Sequence, residues 1–134
     1  MTLVDTSVWI DFFSSSPGPA GQKLRRMILE AEPFALAGVI VAEILQGLRR
    51  DVPRIERYLS QWEMLEPSGF STYGKAAAIS RLARSRGISL TTIDTLIAAI
   101  AMEKGATLFS LDKDFSRIAR ITSLRLYSLP DLTL

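Results

Sequence analysis

The sequence predicts an α/β fold, a three-layer α/β/α sandwich around a mostly parallel central sheet, and three observations lead there. Short apolar stretches of strand character are separated by longer stretches of helical period. Strands separated by helices pair in parallel, and helices on both faces bury them. The first strand, Leu3-Val4, has nothing before it to shield it, which puts it inside the sheet. A length of 134 residues and a hydrophobic content of 48% suit a single domain, residues 1–134, with a substantial core.

Leu3-Val4 ends in Asp5 and turns at once into a helix, Thr6 to Phe13, carrying Val8, Trp9, Phe12 and Phe13. Ser14-Ser15-Ser16-Pro17-Gly18-Pro19 is a loop. Gln22 to Ala31 has helical spacing, with Leu24, Ile28 and Ala31 on one side, and Pro33 ends it. Phe34-Ala35-Leu36-Ala37 is a second strand. Ile40 to Arg49 is a helix whose Ile40, Ile44 and Leu48 share a face, with Glu43 beside Ile44 in that apolar region. Asp51-Val52-Pro53 opens another helix, because proline suits a first turn, and it runs to about Gln61.

Glu63-Met64-Leu65-Glu66 reads as an edge strand stopped by Pro67 and Gly69. Ser71 to Arg86 is a long helix capped by Gly87. Thr92 to Lys104 is apolar nearly all round, which predicts the most buried helix, ended by Gly105. Thr107 to Ser110 is a strand, Leu111 to about Arg120 turns into a helix, and Leu124-Arg125-Leu126-Tyr127 is a last strand.

Composition removes several chemistries. The chain has no cysteine, so disulfides and thiolate metal sites are excluded. It has no histidine, which excludes the Ser-His-Asp triad and histidine-based RNA cleavage. Catalysis then falls to carboxylates, lysine, tyrosine, hydroxyls or a metal held by oxygen. The net charge of +2, from 16 basic and 14 acidic residues, permits nucleic-acid binding without requiring it. No apolar run approaches the roughly 20 residues of a membrane span, and no leader with a cleavage site precedes the first strand. The expectation is a cytoplasmic protein.

Four acids stand where such a sheet gathers its ligands. Asp5 and Asp112 each follow a strand, and Glu43 and Asp94 each lie early in a helix that starts from the same edge. Each has a plainer reading. Asp5 and Asp112 suit helix caps, and Asp94 suits a first helical turn through the macrodipole. Glu43 has the plainer reading of a side chain turned out to solvent, but amid apolar neighbours it is costly to bury unless it is paired or bound to metal. Carboxylates about 5 Å apart repel by roughly 3 kcal/mol per pair at an effective dielectric near 20. A hard divalent cation resolves that repulsion, and oxygen-only ligation selects Mg²⁺ or Mn²⁺. Such a site activates water and offsets charge on a phosphoryl transition state, with no need of histidine.

Asp5-Thr6-Ser7-Val8-Trp9-Ile10-Asp11, Val41-Ala42-Glu43-Ile44-Leu45-Gln46-Gly47, Thr92-Ile93-Asp94-Thr95-Leu96-Ile97-Ala98-Ala99 and Ser110-Leu111-Asp112-Lys113-Asp114-Phe115 resemble, in order, the four motifs of PIN-domain ribonucleases. In size the chain is similar to the VapC toxins among them. The resemblance covers essentially the whole chain. It implies a Mg²⁺- or Mn²⁺-dependent endoribonuclease, usually a homodimer, neutralised by a VapB-type antitoxin. By the match Asp5, Glu43, Asp94 and Asp112 are catalytic and carry the metal, while Thr6 and Ser110 support the site by hydroxyl contacts. The family more often has threonine where Ser110 stands. Asp114 ranks below these four as a ligand, an outer support or a cap of the last helix.

Arg49, Arg50, Lys75, Arg81, Arg84 and Arg86 are candidates for phosphate contacts, against the plainer reading of solvated helix faces. Trp9, Phe12 and Phe13 are candidates to stack bases, though packing suits them better. Two other functions compete with RNA cleavage. One is a degenerate PIN module that binds RNA or a protein partner without cutting, against which all four acids stand. The other is an aspartyl phosphotransferase, whose usual second acid is missing because Ser7 holds that position.

Overall fold

A computed structural model of the chain describes residues 1–129. The elements run β1 (Thr2–Val4), α1 (Thr6–Phe13), α2 (Pro19–Leu29), β2 (Phe34–Ala37), α3 (Gly38–Gly47), α4 (Val52–Ser60), β3 (Met64–Leu65), α5 (Phe70–Ser85), α6 (Thr92–Glu103), β4 (Thr107–Phe109) and α7 (Lys113–Ile121). The four strands form one parallel sheet in the order β3-β2-β1-β4, and helices cover it in an α/β/α arrangement. Leu3 pairs with Ala35 on one side and with Leu108 on the other, so β1 is central. Leu3 and Val4 are fully buried there.

α6 is the buried helix that its composition predicts. Seven consecutive residues, Thr95 to Ala101, are buried, and its longest seam is with α5. A helix so apolar that it cannot offer a solvated face is held on all sides, and whatever its first turn carries is held with it. At its far end Glu103 ties the two helices together. Its carboxylate accepts from the Thr72 hydroxyl at 2.9 Å and the Ser68 amide at 3.0 Å, and the Lys75 ammonium lies 3.6 Å away. These donors, Ser68 and Thr72 foremost, pull its carboxyl down to about 2.

The structure departs from the sequence reading in three places. Leu124–Tyr127 is not a strand. It makes a single parallel bridge, Leu108 to Leu126, with the Leu108 amide donating to Arg125 O and the Tyr127 amide to Leu108 O, so one residue rather than four joins the sheet. α2 ends at Leu29, before Pro33, because Ala31 turns into the left-handed region at φ 54°. The expected edge strand is two residues long, Met64–Leu65.

The α1–α2 corner is set by Asp11 and Gly21. Asp11 Oδ1 accepts from the Gly18 amide at 3.0 Å and Oδ2 from the Gly21 amide at 2.7 Å, so an acid of α1 caps the start of α2. The helices meet so closely that a Cβ on Gly21 would lie 2.8 Å from Phe12 N and 2.9 Å from Asp11 C. Backbone atoms cannot step aside as a side chain can. Gly21→Ala is therefore expected to cost about 1–3 kcal/mol, the range for overpacking, read as a lower urea midpoint at unchanged slope.

Candidate metal centre

The strand order reverses at β1. The chain steps outward through β2 and β3, then returns to set β4 on the other flank of β1. Open α/β sheets form their crevice at such a switch, beyond the carboxyl ends of the strands. Asp5 follows β1 at that point, and Ser110 follows β4.

Asp5 is 5% exposed. It holds the N-cap position of α1, yet its side chain makes no capping bond, which removes the reading of Asp5 as a cap. Its Oδ2 instead accepts from the hydroxyls of Ser110 at 2.7 Å and Ser7 at 3.0 Å. Asp94, in the first turn of α6, stands in the tightest acidic group with Asp112 and Asp114, one carboxylate oxygen of each lying within 4.8 Å of the others. Asp112 serves two roles. It caps α7 by accepting the Asp114 amide at 2.9 Å, and it belongs to this group. Among the described residues the group makes one ion pair, Asp114 to Arg117 at 3.6 Å on its outer side.

Electrostatics register the crowding at Asp94. Burial pushes its carboxyl up to about 6, the charge of Asp112 adds to this, and Asp5 and Asp114 add less, against the pull of a hydrogen bond with the Thr91 side chain. Asp5 connects to the group through Ser110, whose hydroxyl donates to Asp5 Oδ2 and accepts from the Asp112 amide at 3.0 Å. Glu43 stands apart. It is half-buried on α3, and its Oε1 accepts from the Thr6 hydroxyl at 2.7 Å, which ties it to the residue that follows Asp5. Of the four acids read from the sequence, the structure brings Asp94 and Asp112 together with Asp114, links Asp5 to the Asp112 amide through the Ser110 hydroxyl, and holds Glu43 through Thr6. Thr6 and Ser110 sit where supporting hydroxyls were expected.

The donor set fits a hard divalent cation. All the ligand atoms are carboxylate oxygens, as Mg²⁺ and Mn²⁺ prefer. At 4.8 Å, two charged carboxylates repel by about 3.5 kcal/mol at an effective dielectric near 20. A cation relieves that repulsion more fully than an exposed arginine on one side.

Two residues escaped the sequence reading. Ser7 entered it only as the position lacking a second acid, yet its hydroxyl touches Asp5. Thr91 Oγ1 caps α6 by accepting the Asp94 amide at 3.1 Å, a signal the Thr-x-x-Asp spacing carries. Of the basic candidates, Lys75 pairs with Glu103, whereas Arg81 and Arg84 line a cleft of about 370 Å³ between α5 and α6 with Tyr73 and Thr92. Arg49 and Arg50 line another, of about 360 Å³, with Phe13 and Leu48. Trp9 is fully buried, its ring 5.6 Å from Phe12 and 5.8 Å from Phe13, which fixes its role as packing.

Known proteins resemble this chain over most of its length. The family model of the PIN domain matches residues 2–121. The chain is 36% identical over 129 residues to the VapC ribonuclease Mb1587 of Mycobacterium bovis, covering 93% of this chain and 96% of that protein. The same identity and coverage hold for ribonuclease VapC11 of Mycobacterium tuberculosis H37Rv. Among solved structures, VapBC2 of Rickettsia felis, bound to a DNA fragment from its promoter, superposes with a TM-score of 0.75 at 19% identity over 94% of this chain and 96% of that one. The sarcin-ricin-loop-cleaving toxin VapC20 of Mycobacterium tuberculosis gives 0.64 at 18% identity over 87% of this chain and 94% of that one.

The raised carboxyl of Asp94 sets a direction for stability in chelator. The folded state holds that proton up to about 6, while the unfolded chain releases it near its ordinary 3.8. Stability is therefore expected to fall as pH rises from about 4 through about 6, because the folded state binds more protons across that window. Asp112→Asn keeps the α7 cap, since asparagine caps as well as aspartate, and removes one charge. It is expected to raise the melting temperature of metal-free protein at pH 7 by roughly 2–5 °C, about 1 kcal/mol. A lower melting temperature in that variant contradicts the repulsion argument.

Proposed function

The chain belongs to the PIN domain family and, within it, to the VapC ribonucleases, and from that premise we propose that it is a Mg²⁺- or Mn²⁺-dependent endoribonuclease acting as the toxin of a toxin–antitoxin pair. One observation carries the reading. Asp94, Asp112 and Asp114 converge within 4.8 Å beside the buried Asp5, at the crevice of the sheet and without a histidine in the chain. A single domain accounts for the whole activity. No helix among the described residues is long and apolar enough to cross a membrane, which agrees with action in the cytoplasm.

In this reading Asp5, Asp94 and Asp112 hold the cation, Asp114 completes the group, and Glu43 serves from the α3 side. A divalent cation in such a centre supplies Lewis-acid polarisation of the scissile phosphate and lowers the pKa of water, so that a hydroxide nucleophile is available at neutral pH. The residues prepare for it. Ser7 and Ser110 occupy Asp5 Oδ2 and leave Oδ1 for ligation. Thr6 fixes the Glu43 carboxylate on the rim. Asp94, held protonated up to about 6 by burial first and by the Asp112 charge second, would release its proton to solvent when its carboxylate took a cation as ligand. Arg81 and Arg84 on α5, which make no ion pair among the described residues, are suited to phosphates flanking the cut.

The partner is a VapB-type antitoxin, and the active unit is a homodimer. Support for the antitoxin comes from the solved relatives, several of which are VapBC complexes.

Antitoxin-free protein incubated with labelled RNA is expected to cut in Mg²⁺ or Mn²⁺ and to stop in excess chelator. Asp5→Asn is expected to lose at least 100-fold in rate, with its circular-dichroism spectrum unchanged. Cutting that survives chelator, or full activity in Asp5→Asn, overturns the reading. RNA binding without turnover in every metal points instead to a binding module.

A further inference from the structure

We propose that Ser7 is a positioning residue of the centre, the hydroxyl that couples Asp5 to the loop carrying Asp112; the inference rests on the metal-centre reading above. Ser7 lies in the first turn of α1, two residues after Asp5. Its Oγ is 3.0 Å from Asp5 Oδ2, 3.3 Å from Ser110 Oγ and 2.9 Å from the Leu111 amide nitrogen.

Counting protons assigns each contact. A serine hydroxyl has one proton to give and two lone pairs to accept with. The Leu111 amide can only donate, so Ser7 Oγ accepts from it and keeps its own proton for another partner. That partner is Asp5 rather than Ser110, because a carboxylate is the stronger acceptor and the shorter contact. Ser110 repeats the pattern. It donates to Asp5 Oδ2 at 2.7 Å and accepts from the Asp112 amide at 3.0 Å. Two neighbouring hydroxyls thus give their protons to one carboxylate oxygen and take two consecutive amides of the β4–α7 loop.

Three consequences follow from this double bridge. Asp5 Oδ2 has both lone pairs engaged, so its free ligand atom is Oδ1. Asp5 is 5% exposed, and among the described residues its carboxylate receives side-chain hydrogen bonds only from these two hydroxyls. The loop gains its position from the same pair. Leu111 is 51% exposed, so the bond from its amide to Ser7 is what helps set where the next residue, Asp112, stands relative to Asp5. Ser110 alone is not enough, since it fixes the amide of Asp112 and leaves that of Leu111 unheld.

Amide exchange in metal-free protein reads this coupling without the reaction. In Ser7→Ala the Leu111 amide is expected to exchange at least 10-fold faster, with a smaller change at Asp112. The melting temperature should stay near that of the parent chain, because a part-buried hydroxyl is lost rather than core volume. Mn²⁺ affinity in a direct titration is expected to weaken about 10–100-fold, the usual effect of deleting a hydrogen-bond partner of a metal ligand. Ser7→Thr restores the hydroxyl and is expected to recover both readouts. Unchanged Leu111 exchange and unchanged Mn²⁺ affinity in Ser7→Ala overturn the proposal, as does failure of Ser7→Thr to recover either one. Parent protein that binds Mn²⁺ but cuts no RNA defeats the nuclease reading alone, and the same two readouts then still decide the role of Ser7.

Discussion

Repulsion between carboxylates at one edge of a parallel sheet is the constraint on which the rest of the structure turns. Three acids within 4.8 Å of one another, with a fourth buried beside them, are an unfavourable arrangement that the chain must hold in place before any cation arrives. The supports are the stiffest parts of the molecule. Asp5 continues the central strand, with Val4 fully buried before it and its amide bonded to Phe109 O at 2.9 Å. Asp94 opens the helix whose next seven residues are buried. Neither can swing away to relieve the charge. Strain of this kind persists where the surrounding structure over-determines it, and it is a mark of sites that act.

Hydroxyls do the positioning that histidine or arginine does in other centres. Thr6 holds Glu43, Ser7 and Ser110 hold Asp5, and Thr91 caps the turn that bears Asp94. A hydroxyl donor fixes a carboxylate without bringing a positive charge. An arginine in its place would neutralise the group and compete with the cation. Arg117, the one cation paired to the group among the described residues, stays at its outer edge on Asp114. The site therefore remains anionic and geometrically defined, which is what a weakly held, strongly hydrated Mg²⁺ requires of its ligands.

Much of this was legible in the sequence, for identifiable reasons. Leu3 and Val4 were legible as strand because they are apolar and end in an acid, and they are fully buried between β2 and β4. A helix apolar all round can only be enclosed, and Thr95 to Ala101 are. Asp5, Asp94 and Asp112 were legible because strand ends and first turns have a fixed place in a parallel sheet. Asp114 was harder to rank, because an acid two residues beyond a cap looks like ordinary first-turn preference, and only the fold of the β4–α7 loop turns it toward Asp94. Ser7 was illegible because serine after a strand carries no chemistry of its own, and its role depends on Leu111, more than a hundred positions away. Leu124–Tyr127 misled because alternating apolar residues fit a strand, while only Leu126 reaches Leu108.

The two acids of α6 show why partners rather than helix position decide which carboxylates act. The helix macrodipole favours an anion at the N-terminus and disfavours one at the C-terminus, by about 0.3–1 kcal/mol in exposed settings. On that ground Asp94 should give up its proton easily and Glu103 should keep it. The structure reverses both. Burial and the neighbouring carboxylates hold Asp94 up at about 6, and the donors Ser68 and Thr72 with Lys75 hold Glu103 down at about 2. In each case the side chains packed against the acid outweigh the helix that bears it. Glu103 has its charge met by the chain itself, so it seeks nothing more, and what remains for it is to join α5 to α6. Among the described residues, Asp94 is left with a need that no positive charge meets. A carboxylate held rigidly in that state, among others like it, has a use only when something positively charged comes from outside.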